Sequence, residues 1–134
     1  MAVQTLDHYN LRAARAARAV LDELCAFYRD VVGLEVGERP PFRRFGYWLY
    51  AGGRAVLHLS VADDGESRPS GVASTFAHAA FSCTNRPAFE QRLKERGVPY
   101  RVDEIPLTRR VQLFFKDPAG NGVELQFEAS DAER

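Results

Sequence analysis

The stretch Ala55-Val56-Leu57-His58-Leu59-Ser60-Val61 decides how this chain is read. Its branched, apolar character predicts a β-strand. Side chains of a strand point to opposite faces in turn, so Leu57, Leu59 and Val61 share one face and Val56, His58 and Ser60 the other. The first face suits a core. The second carries one of only three histidines in the chain. A second stretch repeats the pattern with a carboxylate where the imidazole stood. In residues 123–128 the apolar Val123, Leu125 and Phe127 oppose Glu124, Gln126 and Glu128.

Working outward, each of these strands closes a series of the same order. The first series has a strand at residues 4–11 and an Ala/Arg-rich lead-in to a helix at 12–19. A helical stripe of Leu21, Leu24, Cys25, Tyr28, Val31 and Val32 follows and stops at Gly33. A short extended piece, a Pro40-Pro41 loop, an aromatic strand at 44–50 and a Gly52-Gly53 turn complete it. The second series has a strand at 75–83 and a helix at 87–96 with Pro87 in its first turn and Gly97 at its end. An extended piece at 99–105, a strand at 110–116 and a Gly120/Gly122 turn follow. Residues 62–74, polar and rich in Gly, Pro and Ser, read as the linker.

The offsets support a duplication. His8 and His78 lie 70 apart, Gly33 and Gly97 64, and His58 and Glu124 66. Trp48-Leu49-Tyr50 aligns with Leu113-Phe114-Phe115 at 65, the last step being assigned to a second turn one residue longer. The prediction is an α+β fold of two βαβββ modules, at about 4–61 and 75–128, in one domain spanning 1–134. The modules are expected to form a curved, cup-shaped mixed sheet with the helices on its outer face. One module alone, at roughly 60 residues, buries too little surface to be a good independent domain.

Lys+Arg and Asp+Glu cancel at 18 each, which excludes binding nucleic acid or membrane by bulk charge. No apolar leader precedes the first strand and no apolar run of ~18 residues occurs, so the expected location is the cytoplasm. Cys25 and Cys83 have no metal spacing and read as reduced thiols.

All three histidines and Glu124 fall at related positions of the repeat, on faces opposite the apolar ones. Three imidazoles and a carboxylate converging there suit a borderline divalent metal: Zn, Fe(II), Mn, Ni or Co. His58 is either a ligand or an acid/base group. Arg43, Arg44, Arg54, Arg109 and Arg110 flank the cup, and Arg44 and Arg109 are candidates to hold an anionic group. Trp48 and Gln112 are candidate pocket walls.

The chain resembles the glyoxalase / bleomycin-resistance / extradiol-dioxygenase superfamily, the vicinal oxygen chelate proteins. The likeness rests on residues 6–11 (LDHYNL), 27–36 (FYRDVVGLEV), 76–81 (FAHAAF) and 115–125 (FKDPAGNGVEL). It implies His8, His78 and Glu124 as metal ligands. The fourth position, Glu in glyoxalase I, is His58, so a two-glutamate proton shuttle is not available. The implied function is a metal-dependent, glyoxalase-like lyase or isomerase acting on a small oxygenated anion, with Glu124 and His58 as the catalytic groups. Alternatives are an Fe(II) dioxygenase, a thiol transferase of the fosfomycin-resistance type, and a metal-free ligand-sequestering protein. The resemblance also implies a homodimer.

Overall fold

The computed structural model describes residues 1–2, 4–66 and 76–129. The chain divides into two compact units, Met1–Ser70 and Gly71–Arg134. The expected linker at 62–74 lies, from residue 67 on, outside the described residues.

The first unit runs β1 (Tyr9–Ala13), a 3-10 turn (Arg15–Ala17), α1 (Arg18–Phe27), a π-helical turn (Tyr28–Val32), β2 (Glu35–Gly37), β3 (Gly46–Ala51) and β4 (Arg54–Val61). The second runs β5 (His78–Cys83), α2 (Arg86–Glu95), β6 (Arg101–Glu104), β7 (Val111–Lys116) and β8 (Gly122–Phe127). Both are therefore βαβββ modules of the α+β class. Each builds its own four-stranded mixed sheet, in order β1-β4-β3-β2 and β5-β8-β7-β6. The outer pair is parallel and the hairpins antiparallel in both.

The alternation along the strands sets the burial. Leu49, Leu57 and Leu59 of the first sheet are fully buried, and α1 packs against β1, β3 and β4 through Leu21, Leu24 and Cys25. Tyr47 points to that helix and donates to the Asp22 carboxylate (2.5 Å), which pushes the Tyr47 pKa up to about 12. Trp48 therefore faces the other way, with His58. In the second sheet Leu113, Leu125 and Phe127 are fully buried, with Leu93 of α2 and an edge contact from Phe89 to Phe127. Asn85 caps α2 by accepting from the Ala88 N–H. Among the described residues no helix is long and apolar enough to cross a membrane.

The structure corrects three readings. The first strand is Tyr9–Ala13, not 4–11, so His8 stands just before it. Arg12 and Ala13 are good helix formers, but they lie opposite Ser60 and Val61 in the parallel ladder, and tertiary pairing overrides propensity there. The hairpins align at 66 on both strands, not at 65 and 66. Trp48 lies opposite His58 as Phe114 lies opposite Glu124, so Trp48 matches Phe114. With equal spans no extra residue is needed in the second hairpin, and the first ladder instead shifts register at the Leu49/Tyr50 step.

Candidate functional site

Each sheet places the same three repeat positions next to one another. Across the first, Asn10, His58 and Trp48 are neighbours, and across the second Ala80, Glu124 and Phe114 are. Two residues before Asn10 comes His8, and two before Ala80 comes His78. Each unit thus brings together two of the four candidate ligands beside one aromatic ring.

In the first unit His58 lies between two rings. Its imidazole stacks on His8 at 3.8 Å and 15°, and on Trp48 at 4.1 Å and 9°. Burial, then the nearby His8, push the His58 pKa below the ordinary 6.5, so the neutral ring with its free lone pair is favoured. His8 Nδ1 donates to Asp7 Oδ2 at 2.7 Å, and that bond holds the Asp7 carboxyl below its usual range. A carboxylate on Nδ1 leaves the His8 Nε2 lone pair free, the arrangement that prepares a histidine for a metal.

The depressed His58 pKa has a consequence for stability. In the unfolded chain His58 takes up a proton near pH 6.5, and in the folded chain only at lower pH. Its contribution is present above pH 6.5 and is lost as pH falls through the folded pKa. The melting temperature of the metal-free protein is therefore expected to fall on acidification below that value. A thermal melt series on His58→Gln should be flatter over the same range, and an equally steep one would place the effect elsewhere.

In the second unit His78 Nε2 stands 3.2 Å from Glu124 Oε1. The Glu124 side chain is 5% exposed and that of His78 41%. The other Glu124 oxygen accepts from Gln126 Nε2 at 3.1 Å, and Phe114 meets His78 edge-on at 5.6 Å. The close approach depends on Gly122, because a methyl there would collide with the Ala77 carbonyl and reach 3.0 Å from His78 Cβ. The donor chemistry fits a divalent cation. An imidazole nitrogen and a carboxylate oxygen, His78 Nε2 and Glu124 Oε1, are the donors that would hold it here. Among the described residues no group of three His, Cys, Asp or Glu side chains that could hold a metal ion is found.

Two pockets adjoin these pairs. One of about 540 Å³ includes Asn10, Arg39, Phe42, Arg44, Trp48 and His58 in its wall. The other, about 520 Å³, includes His78, Tyr100, Arg101, Phe114 and Lys116. Of the substrate candidates, Trp48 and Arg44 line the first, and Arg44 is paired with Asp63 at 2.7 Å. Gln112 shares the Glu124 face as cross-strand neighbour of Gln126, outside the second pocket's wall. Arg109 is exposed, with φ 61, and lines neither. Sequence reasoning missed Asp7, Arg39, Phe42 and Phe114. Only Phe114 had a usable signal, its repeat relation to Trp48.

Two βαβββ modules, each presenting an imidazole beside a second polar residue of its sheet, define a class of duplicated folds. The family model of the Glyoxalase/Bleomycin resistance protein/Dioxygenase superfamily matches residues 5–125, and the chain belongs to that superfamily. Solved structures share its fold. A glyoxylase/bleomycin resistance protein/dioxygenase domain from Frankia sp. is 18% identical over 95% of this chain and 99% of that one, with TM-score 0.70. A lactoylglutathione lyase from Agrobacterium tumefaciens is 24% identical over 96% of both chains, with TM-score 0.65. An antibiotic binding protein from Streptomyces sp. is 21% identical over 96% of this chain and 98% of that one, with TM-score 0.64. No curated protein matches the chain in sequence.

Proposed function

We propose that this protein is a divalent-metal-dependent enzyme acting on a small oxygenated anion, as a glyoxalase-like lyase or isomerase. The observation that carries the reading is the buried Glu124 carboxylate 3.2 Å from His78 Nε2. His78 and Glu124 would hold the cation, with His8 and His58 supplying the other imidazoles of the donor set. When bound, such a cation polarises neighbouring substrate oxygens and makes the adjacent carbon acid easier to ionise. Glu124, its Oε2 held in place by Gln126 Nε2, would take a proton from one substrate carbon and deliver it to the neighbouring carbon. His58, favoured in its neutral form, would take the proton of a substrate hydroxyl at its free nitrogen and give the same proton back. With one carboxylate in the set instead of two, a divalent site is net positive and favours an anionic oxygen. The two free cysteines fit a reducing cytoplasm, and a homodimer belongs to the same proposal.

A second reading has its own observation. The His8–His58–Trp48 stack turns ring faces, not lone pairs, toward one another, as the wall of an aromatic ligand pocket would. It makes the chain a ligand-sequestering protein, in line with its antibiotic-binding structural neighbour.

Metal content separates the two. Protein purified without chelator and reconstituted with Zn, Mn, Fe(II), Co or Ni is expected to retain one of these stoichiometrically. It is then expected to convert the methylglyoxal–glutathione hemithioacetal or a related α-oxygenated anion. Retained iron with catechol-dependent oxygen uptake would move the reaction to a dioxygenase using His8, His78 and Glu124. Retention of none of the five metals would sink the enzyme reading.

A further inference from the structure

Beside His58 the first unit holds a positive charge with no counterion among the described residues. Arg39 Nε is buried and has no hydrogen-bond acceptor among the described residues. The same holds for Arg86 Nε and Arg110 Nε, but those guanidiniums lie on Glu90 and Glu128. Among the described residues Arg39 lies on no carboxylate. Its Nη2 donates to the Arg44 carbonyl at 3.1 Å and its guanidinium sits 4.9 Å over the Phe42 ring, so the group is held in place while its Nε–H is left unused. Gly46 leaves room for it, since a Cβ there would come within 2.9 Å of Arg39 Nη2. Burial, then Arg44, lower the Arg39 pKa, the direction expected of a cation without a partner. Arg43 lines the same pocket, and Arg44 is already neutralised by Asp63. An unmet buried donor on a fixed cation is costly unless a ligand meets it.

The remaining wall is flat and apolar. Phe42 stands 6.1 Å from Trp48, tilted by 44°, and is 54% exposed. We propose that this pocket is a subsite for an organic carboxylate on a flat, unsaturated body, with Arg39 receiving the anion and Phe42 and Trp48 the body. A guanidinium offering a free Nε–H matches a planar carboxylate better than a phosphate, which asks for donors on three sides. The inference rests on the reading that this face receives the substrate, but it does not require the cation.

The chain's one tryptophan, Trp48, lines this pocket and reports on it. Chelator-treated protein is titrated with benzoate, benzamide and inorganic phosphate at fixed ionic strength, following Trp48 emission. Benzoate is expected to give a saturable change, with benzamide and phosphate at least about tenfold weaker. Arg39→Met should weaken benzoate about tenfold at unchanged circular dichroism, and Arg39→Lys, which keeps charge but not the fork, by less. Benzamide binding as well as benzoate, phosphate binding as well as benzoate, or no saturable change with benzoate overturns the subsite, and so does a folded Arg39→Met that binds normally. Benzoate binding by a chain that retains no metal would leave the subsite standing and remove the enzyme reading, so the two failures are distinct.

Discussion

Purified Glu124→Ala protein is expected to carry no divalent metal under conditions in which the wild type retains it. Groups that only orient a ligand are worth 10–100-fold in affinity, so removal of a ligand should cost more than about 100-fold. The effect on the metal-free fold should be small. Glu124 is buried, but His78 is 41% exposed and would be resolvated rather than stranded. Replacing a buried carboxylate by its amide is then neutral or slightly stabilising. Metal-free Glu124→Gln is expected to melt within about 3 °C of the metal-free wild type, or above it. Metal at a hundredfold its dissociation constant should stabilise the wild type by about 2.7 kcal/mol. That corresponds to roughly 10 °C in melting temperature. The variant should show no such rise. Metal analysis and paired melts test both halves, and a variant that keeps its metal would remove Glu124 from the donor set.

Phe127→Ala should give the largest loss of stability. The side chain is fully buried at the end of β8, opposite Val111 and Cys83, with the Phe89 ring 5.9 Å away. Truncating a buried Phe removes its transfer energy and leaves a cavity, about 3–5 kcal/mol in all. For a chain of this length that lowers the melting temperature by something like 10–25 °C. Leu107→Ala, at a fully exposed side chain, should stay within about 0.5 kcal/mol. Chemical denaturation reads both. A near-neutral Phe127→Ala would mean that α2 does not depend on this contact to stay on its sheet.

The module order, the helix stop at Gly33 (φ 94) and the faces of the strands were legible in the sequence because each depends on local periodicity or on a positive φ. The equivalence of His58 and Glu124 in the repeat was legible because duplication copies position. What was not legible depends on contacts between distant segments. Arg12 and Ala13 read as helix until Ser60 and Val61 lie beside them. Since β1 starts at Tyr9, alternation does not apply to Asp7 and His8, and it would have put these two bonded neighbours on opposite faces. Arg39 sits in an aperiodic loop, where no pattern tells a buried guanidinium from a solvated one. Arg109 was chosen for its flanking position and Gln112 as a polar group of the pocket, and only the ladder shows that Gln112 borders Gln126.

Each unit closes its sheet by joining its first strand to its last. Tyr9 finds Leu57, 48 positions on, and His78 finds Gly122, 44 positions on. Hairpins such as β3–β4 form in about 1–10 μs, but a parallel ladder has no turn to start from and waits for a long search. Folding speed is therefore governed by two loop closures of similar length, each within its own half of the chain. Closure cost rises by only about 0.6 kcal/mol per doubling of the loop. Residues 67–75 belong to neither loop, so lengthening that segment adds nothing to either search, whereas an insertion in the 38–45 loop slows the closure of the first sheet.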